Sequence, residues 1–158
     1  MSDKPLYIFD VDGTLALIDH RVHYLDQNDN PNRWRQFYAA CDKDKPNTPV
    51  ITILNNLLFL GADVLLFSGR SEEVRDKTVN WLSENTSLTS YQVREEGFLT
   101  MRREMDYTPD DVLKESWIDN MLVDDRRRII AAFDDRDKVV AMWRRKGITC
   151  FQVAEGKF

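Results

Sequence analysis

Short apolar runs in this chain are followed at once by side chains that could bind a phosphate group or a metal ion. Two aspartates follow the first run, a serine and an arginine the second, and two more aspartates a later one. These residues are Asp10, Asp12, Ser68, Arg70, Asp134 and Asp135. A lone aspartate after a strand is common, because aspartate is favoured in turns. Two apolar runs that are each followed by a pair of aspartates point instead to a shared site.

The apolar runs predict strands of a mainly parallel sheet. Ligands of such sheets bind beyond the carboxyl ends of the strands, so the residues after each run should meet at one edge. Four carboxylates at that edge would repel one another unless a proton or a cation joins them. A hard divalent cation with oxygen ligands removes this repulsion, and Mg²⁺ fits best. The residues alone therefore leave two interpretations open, a site for Mg²⁺ and phosphate or ordinary aspartates in turns.

The elements that must hold these side chains alternate between strands and helices. The apolar pattern predicts strands over residues 6–9, 62–67, 97–101, 128–133 and 148–154, and helices over 49–60, 71–85, 108–119 and 138–146. This alternation is typical of an α/β fold with a mainly parallel sheet. The irregular stretch at about 17–47 interrupts it and is expected to form a small cap or lid. A length of 158 residues suggests that 1–158 is one domain.

The composition limits the possible partners. Asp and Glu number 27 against 22 Lys and Arg, a net charge of −5, which argues against holding long duplex through bulk positive charge. Cys41 and Cys150 form no Cys-x-x-Cys site or disulfide framework. The lack of a signal core and of a long apolar run predicts a cytoplasmic protein with no membrane partner. A P-loop kinase is excluded, because the P-loop motif is absent.

Four motifs resemble those of the haloacid dehalogenase (HAD) superfamily of phosphohydrolases. Residues 9–15 read FDVDGTL and resemble the first motif, and SGR at 68–70 resembles the second. Lys114 fits the third motif and DD at 134–135 the fourth, in the family's order. The resemblance implies a HAD-like Rossmannoid three-layer sandwich, with a mainly parallel sheet and a small cap insert after the first strand.

A closer likeness connects the chain to the phosphatase domain of bacteriophage polynucleotide kinase-phosphatase. It is carried by DDVLKE at 110–115, DDR at 134–136, MWRR at 142–145 through Gly147, and the pattern C-x-QVA-x-G-x-F at 150–158. The likeness covers nearly the whole chain, and the kinase half of that family is missing from it. It implies a phosphorylated nucleic-acid end or a nucleotide as substrate and, if the protein is phage-encoded, a place in the host cytoplasm. The oligomeric state stays open.

The resemblance implies roles for the catalytic residues. Asp10 is the expected nucleophile, and Asp12 the expected general acid and base. Ser68 would donate a hydrogen bond to a phosphoryl oxygen, and Lys114 would neutralise the nucleophile and the phosphoryl charge. Without the resemblance, Lys114 would be expected to be a solvated helical lysine.

The resemblance also implies a Mg²⁺ site and a substrate-binding group. The implied metal ligands are Asp10, the backbone carbonyl of Asp12, Asp134, and Asp135, which would either join the metal shell or hold Lys114. Phosphate or substrate contacts are expected from Gly13, Thr14, Gly69, Arg70, Arg21 and Arg102. Gly13 would let the backbone turn close to the phosphate. Arg70 would either bind phosphate or pair with an acidic neighbour.

Aromatic side chains of the insert leave two roles open. Trp34, Phe37 and Tyr38 lie at helical spacing and could pack the insert or stack on a base, with packing favoured. His20 is expected at the surface rather than as a metal ligand. Trp143, outside the insert, is expected in the core.

One segment departs from the phage family's pattern. Where that family often has Gly-Asp-x-Arg ahead of the third-motif lysine, this chain has Met105-Asp106-Tyr107-Thr108. Thr108 takes the place of the arginine. If that arginine holds a nucleic-acid phosphate or sugar, substrate preference should differ here, with the phosphatase chemistry unchanged.

The leading hypothesis is a Mg²⁺-dependent phosphomonoesterase that removes terminal 3′-phosphates from polynucleotides through an aspartyl-phosphate, for end repair. The first alternative is a phosphatase of free (deoxy)nucleoside monophosphates, since a short insert leaves the site open to either substrate. A phosphotransferase with another acceptor is also open. A catalytically idle HAD-like binding module is a hypothesis of another class, and the presence of nucleophile, acid, lysine and metal carboxylates argues against it.

Overall fold

A five-stranded parallel sheet forms the centre of the computed structural model, which describes residues 3–156. The strands in chain order are β1 (Leu6–Phe9), β2 (Ala16–Leu17), β3 (Lys45–Pro46), β4 (Asp63–Ser71), β5 (Leu99–Arg102), β6 (Ile129–Asp134) and β7 (Cys150–Gln152). The large sheet has the order β5-β4-β1-β6-β7, and β2 pairs with β3 in a separate antiparallel ribbon. Phe158, the last residue of the family-like ending, lies outside the described residues.

Helices cover both faces of the sheet, giving the expected three layers. They are α1 (Arg33–Ala39), α2 (Thr48–Phe59), α3 (Arg75–Asn85), α4 (Ser90–Arg94), α5 (Asp110–Asp119), α6 (Val123–Arg127) and α7 (Asp137–Arg145). Leu54 of α2 and Leu82 of α3 belong to one buried apolar cluster, whereas Ile118 of α5 and Trp143 of α7 belong to another. Within residues 3–156, no helix is long and apolar enough to cross a lipid bilayer.

The predicted strands and helices differ from the structure mainly at their ends. The second predicted strand, 62–67, stops too early, because β4 runs on through residues 68–70 to Ser71. Pairing with β5 explains the extra length: Ser68 lies opposite Met101, and a register shift then places Ser71 opposite Arg102. The apolar pattern does not predict the short helices α4 and α6. For α4 a signal is present, since Thr89 and Gln92 form a capping box.

The insert between the first and second strands of the large sheet begins and ends at the small ribbon. Ala16 pairs with Pro46 and Leu17 with Lys45. Between these ends lie the 3₁₀ turns Asp19–Tyr24 and Cys41–Lys43, with α1 between them. Phe37 and Cys41 of this segment are buried, so the segment packs onto the body of the fold.

The centre of the sheet places two aspartates side by side over an aromatic floor. Phe9 of β1 pairs with Phe133 of β6, and their rings stack with centroids 4.3 Å apart. The Asp10 amide donates to the carbonyl oxygen of Phe133 at 2.9 Å. Asp10 and Asp134, each the next residue along, therefore meet at the carboxyl edge above apolar rings.

Candidate active site

Buried carboxylates and one lysine meet at this edge. The carboxylates are Asp10, Asp134 and Asp135, and one oxygen of each lies within 4.8 Å of the others. The Lys114 ammonium, carried by α5, donates to Asp10 Oδ1 at 2.7 Å and to Asp134 Oδ2 at 2.8 Å. None of the four residues is more than 6% exposed. We call these four residues the carboxylate cluster.

The carboxylate cluster is short of positive charge. Burial raises the pKa of Asp10 well above its usual value, and the charge of Lys114 offsets this only in part. Burial, and then repulsion from Asp134, raises the pKa of Asp135 to about 7. Burial alone would lower the pKa of Lys114, but Asp10 and Asp134 outweigh it and raise that pKa. The cluster would therefore be stabilised by a further cation.

The donor set of the cluster fits Mg²⁺. Asp135 Oδ1 is buried and has no hydrogen-bond partner within residues 3–156. A buried oxygen without a partner is rare, and a bound water or ion is one of the features that account for it. Asp10, Asp134 and Asp135 offer the hard oxygen ligands that Mg²⁺ prefers. These residues could hold the ion, which would neutralise negative charge on a phosphoryl group bound beside them.

The loop after β1 brings backbone close to the carboxylate cluster. Gly13 has a left-handed φ of 81°, and a Cβ atom there would collide with the Asp135 carboxylate. From the sequence, Gly13 is expected to let the backbone approach a phosphate group. In the structure, the group that its backbone approaches closely is the Asp135 carboxylate. Thr14 Oγ1 donates to Asp10 Oδ2 at 3.2 Å and so helps to fix the orientation of that side chain.

Ser68 lies one residue further along β4 than the position level with Asp10. Register pairs Phe9 with Leu66, so Asp10 lies level with Phe67 and Ser68 follows it. The Ser68 side chain is buried, and its Oγ accepts a hydrogen bond from the Arg70 amide at 3.2 Å. Its own hydroxyl proton can still be donated to a substrate oxygen, as its expected role requires.

A second buried group of charges lies beside the first. Arg21 Nη2 and Arg70 Nε both bind Asp12 Oδ1, at 2.6 and 2.7 Å. The same guanidinium groups bind Asp44 Oδ2 through their Nη2 atoms, at 2.6 and 2.7 Å. Arg21, Arg70 and the Asp44 side chain are fully buried. We call Arg21, Arg70, Asp12 and Asp44 the arginine cluster.

The arginine cluster separates the Asp12 carboxylate from the other three. Burial would raise the pKa of Asp12, but Arg70 and Arg21 outweigh it and lower that pKa. Three carboxylates, not the expected four, therefore meet at the possible metal site. Both arginines bind the same oxygen, so neither blocks Asp12 Oδ2. In the structure Arg21 and Arg70 bind carboxylates, and their expected contact with phosphate stays a prediction.

A third contact set ties Arg102 to the second motif. Arg102 Nε donates to the Gly69 carbonyl at 3.0 Å, and the Tyr38 hydroxyl donates to the same oxygen at 3.2 Å. Arg102 and Arg136 also form ion pairs with Asp110, the first residue of α5. A Cβ atom at Gly69 would lie 2.8 Å from Asp110 Oδ1, so glycine allows this packing. Arg102, 8% exposed, thus holds backbone in place here, and its expected contact with substrate stays a prediction.

The aromatic side chains of the insert take different places. Phe37 is buried, with the Arg21 guanidinium 4.2 Å from its ring centroid, so it packs. Tyr38 packs against the core, and burial raises its pKa to about 12. Trp34 is 42% exposed, which keeps base stacking open for this residue alone of the three. Trp143 lies in the core as predicted, with Nε1 3.4 Å from Asp134 Oδ2.

Sequence reasoning missed Asp44 and did not assign a role to Asp110. Asp44 lies in the irregular insert, and nothing in its local pattern marks it. His20 Nε2 lies 2.8 Å from Asp44 Oδ1, which places this histidine at the arginine cluster. Asp110 carried a weak signal, because it precedes Lys114 by four residues on one helix face.

Comparison with known proteins relates the chain to a nucleic-acid repair family. Residues 4–158 match the family described as "Polynucleotide kinase PNKP phosphatase domain". A protein of Autographa californica nuclear polyhedrosis virus, named "Putative bifunctional polynucleotide kinase/RNA ligase", is 34% identical over 136 residues. The match covers 85% of this chain and 17% of the viral protein. The chain therefore spans only a small part of that relative.

Solved structures agree with this relationship. A chain of the Pnkp1/Rnl/Hen1 RNA repair complex is 31% identical with a TM-score of 0.74, covering 100% of this chain and 45% of that one. A class C acid phosphatase from Bacillus anthracis with tungstate bound has a TM-score of 0.66 at 13% identity, covering 100% of this chain and 69% of that one. The second likeness supports the fold alone.

Proposed function

Because the chain belongs to the PNKP phosphatase-domain family of HAD phosphatases, we propose that it removes 3′-phosphates from nucleic-acid ends. The observation that carries this proposal is the carboxylate cluster. In it, Lys114 bridges Asp10 and Asp134 beside an unpartnered Asp135 oxygen. Such a site combines a carboxylate that can act as nucleophile, a fixed cation and oxygen ligands for a metal ion, which together suit phosphoryl transfer.

Asp10 is the proposed nucleophile. One of its carboxylate oxygens would attack phosphorus, and the bond from phosphorus to the sugar oxygen would break, leaving an aspartyl-phosphate. Lys114, 2.7 Å from Asp10, would balance charge on the attacking carboxylate and on the phosphoryl oxygens. Ser68 would donate to one phosphoryl oxygen. The backbone around Gly13, Thr14 and Gly69 would line the same place.

Asp12 is the proposed general acid and base. In the first step it would give a proton to the departing sugar oxygen, and in the second take one from the water that attacks phosphorus and releases Asp10. Arg21 and Arg70 lower its pKa, which favours the carboxylate needed in the second step. A bound phosphate dianion would raise that pKa again, favouring the acid needed in the first.

Mg²⁺ is the proposed metal ion. Asp10, Asp134 and Asp135 would hold it, together with the backbone carbonyl of Asp12. Its charge would supply the balance that the carboxylate cluster lacks. With Asp135 in the metal shell, Lys114 remains bound to the other two carboxylates, as it is in the structure.

A nucleic-acid end is the proposed substrate because the relatives are named for polynucleotide kinases. The short insert, about residues 17–47, is the proposed cap, and it leaves space for a polymer end. A free nucleoside monophosphate would fit the same open edge and remains the second candidate. We further propose that end repair joins this activity to kinase and ligase activities carried outside these 158 residues, in the host cytoplasm if the protein is viral.

A substrate panel tests the proposal. With Mg²⁺ present, release of inorganic phosphate is compared for 3′-phosphorylated, 5′-phosphorylated and 2′,3′-cyclic oligonucleotides and for nucleoside monophosphates. We expect kcat/KM to be highest for 3′-phosphorylated ends. Preference for free nucleotides would reject the polynucleotide assignment, and transfer of phosphate to another acceptor would indicate a phosphotransferase. Full activity after metal chelation would reject the role of Mg²⁺.

A further inference from the structure

Tyr107 is an exposed aromatic residue on the loop that connects β5 to α5. Because β5 is a parallel strand of the large sheet, this loop leaves the same edge at which the carboxylate cluster lies. Tyr107 is 79% exposed. An exposed aromatic ring at the carboxyl edge of the sheet, where the substrate is proposed to bind, offers a face on which a nucleic-acid base can stack.

Hydrogen bonds hold the loop to β4, so the backbone at Tyr107 is held in place. Arg102 Nη1 donates to the carbonyl oxygens of Asp106 at 3.0 Å and Thr108 at 2.6 Å, on either side of Tyr107. The same guanidinium binds the Gly69 carbonyl of the second motif through Nε. A single buried arginine therefore connects the backbone beside Tyr107 to the strand that carries Ser68.

Bonds within the loop make it rigid. The Thr108 amide donates to Asp106 Oδ1 at 2.9 Å, and hydrogen bonds from Thr108 lower the pKa of the Asp106 carboxyl. Met105 has a φ of 59°, a left-handed conformation that costs free energy for any residue with a Cβ atom. The phage family's pattern often has glycine at this position. Together with the bonds from Arg102, the bond within the loop restrains the backbone at Tyr107.

The charge of the loop favours stacking over phosphate binding. Between residues 103 and 109 it carries one basic residue, Arg103, against two acidic ones, Glu104 and Asp106. The arginine of the phage pattern is replaced by Thr108. A loop with this balance has little attraction for a phosphate group, but an aromatic ring can bind any base through its face.

From these observations we infer that Tyr107 is a specificity residue that stacks on a base next to the phosphorylated 3′ end of the substrate strand. The inference rests on the proposed function, since it needs a polynucleotide substrate. Stacking would favour a polymer end over a small phosphate ester without reading the base sequence. It would not take part in the chemical steps.

The test compares Tyr107→Ala with Tyr107→Phe on three substrates. These are a 3′-phosphorylated oligonucleotide, the same oligonucleotide with abasic sites at its last two nucleotides, and p-nitrophenyl phosphate. Tyr91→Ala is the matched control, because Tyr91 is 76% exposed but lies on α4, near the amino end of β5 at the opposite edge. Circular dichroism and thermal melting check that each variant is folded.

We expect Tyr107→Ala to raise KM for the normal oligonucleotide roughly 5- to 100-fold with little change in kcat. KM should stay within about twofold for the abasic oligonucleotide and the aryl phosphate, because neither offers a base to stack on. Tyr107→Phe and Tyr91→Ala should behave as wild type on all three substrates.

Two results would overturn the inference while the proposed function stands. One is an unchanged KM for the normal oligonucleotide in Tyr107→Ala, and the other is an equal loss on the aryl phosphate. If the wild type cleaves the aryl phosphate but not the 3′-phosphorylated oligonucleotide, the proposed function itself fails. The inference then fails with it. The wild-type data alone therefore distinguish failure of the proposed function from failure of the stacking inference.

Discussion

The carboxylate cluster and the arginine cluster are both buried, charged and adjacent, but their charges balance differently. The carboxylate cluster has Asp10, Asp134 and Asp135 against the single cation of Lys114, and it leaves one oxygen without a partner among residues 3–156. The arginine cluster has two carboxylates against two guanidinium groups, joined by short hydrogen bonds. A bound cation would therefore stabilise the first cluster, whereas the charges of the second already balance.

This difference separates the proposed reactive site from the charged framework beside it. In the carboxylate cluster, burial and repulsion between the carboxylates raise the pKa values of Asp10 and Asp135, and the single charge of Lys114 offsets this only in part. In the arginine cluster, the pKa of Asp12 falls although most of its side chain is shielded from solvent, because Arg70 and Arg21 are close. Asp12 alone has a part in both: its carboxylate is held by the framework, while its chain position places it two residues after Asp10.

Asp10→Asn gives the largest expected effect and tests the unbalanced cluster. If Asp10 is the nucleophile, as proposed, removing its attacking oxygen should lower kcat for p-nitrophenyl phosphate by about 10³-fold or more, because the proposed covalent intermediate could no longer form. Turnover is measured by release of p-nitrophenol. The fold should be kept, because one repelling charge is lost and the size of the side chain is unchanged. Activity within about tenfold of wild type would contradict the role of Asp10.

Asp44→Ala tests the balanced cluster. It leaves two buried guanidinium groups with one carboxylate, and breaking a buried pair in this way costs about 3–5 kcal/mol. The free energy of unfolding is measured in urea. Arg35→Ala is the control, because its pair with Glu73 is exposed and should contribute only about 0–1 kcal/mol. A loss at Asp44 no larger than at Arg35 would mean that the arginine cluster is not a framework.

Metal addition should stabilise the protein through the carboxylate cluster only. At Mg²⁺ concentrations near 100 times Kd, the free energy of unfolding should rise by about 2.7 kcal/mol, seen as a higher melting temperature. Asp135→Asn should lose most of this shift. Asp124→Asn, a change at an exposed surface carboxylate, should keep it. An equal Mg²⁺ shift in both variants would show that the ion binds elsewhere.

The two cysteines give the smallest expected effect, one for each cluster. Burial raises the pKa of the Cys41 thiol beside the arginine cluster, and burial with nearby Asp134 raises that of Cys150 to about 12. Both thiols should therefore react slowly with iodoacetamide at about pH 8 in the folded protein. Asp44→Ala should speed labelling of Cys41 more than that of Cys150, as measured by mass spectrometry of peptides.

Labelling in urea provides the control, since both cysteines should then react at similar rates. Equal acceleration of both by Asp44→Ala would show that the variant opens the whole fold rather than the region of the arginine cluster.

Part of the site can be predicted from sequence, because polar residues directly follow the apolar runs that form strands. Contacts made by the insert join residues far apart in the chain and leave no pattern in the sequence. Asp10 and Asp134 are predicted correctly at one edge, because parallel strands bring their carboxyl ends together. Lys114 has no distinguishing pattern of its own and is identified only through the family resemblance. Asp44 pairs with Arg70 across 26 residues of chain, and no periodic signal records such a contact.

The ribbon of β2 and β3 has a consequence for exchanging parts between related phosphatases. It brings the two ends of the insert side by side, with Leu17 opposite Lys45, so a segment of different length could be grafted there without moving the sheet. The graft would not be neutral, however, because the segment carries Arg21 and Asp44. A transplanted segment would keep Asp12 in position only if it brought an equivalent arginine and carboxylate with it.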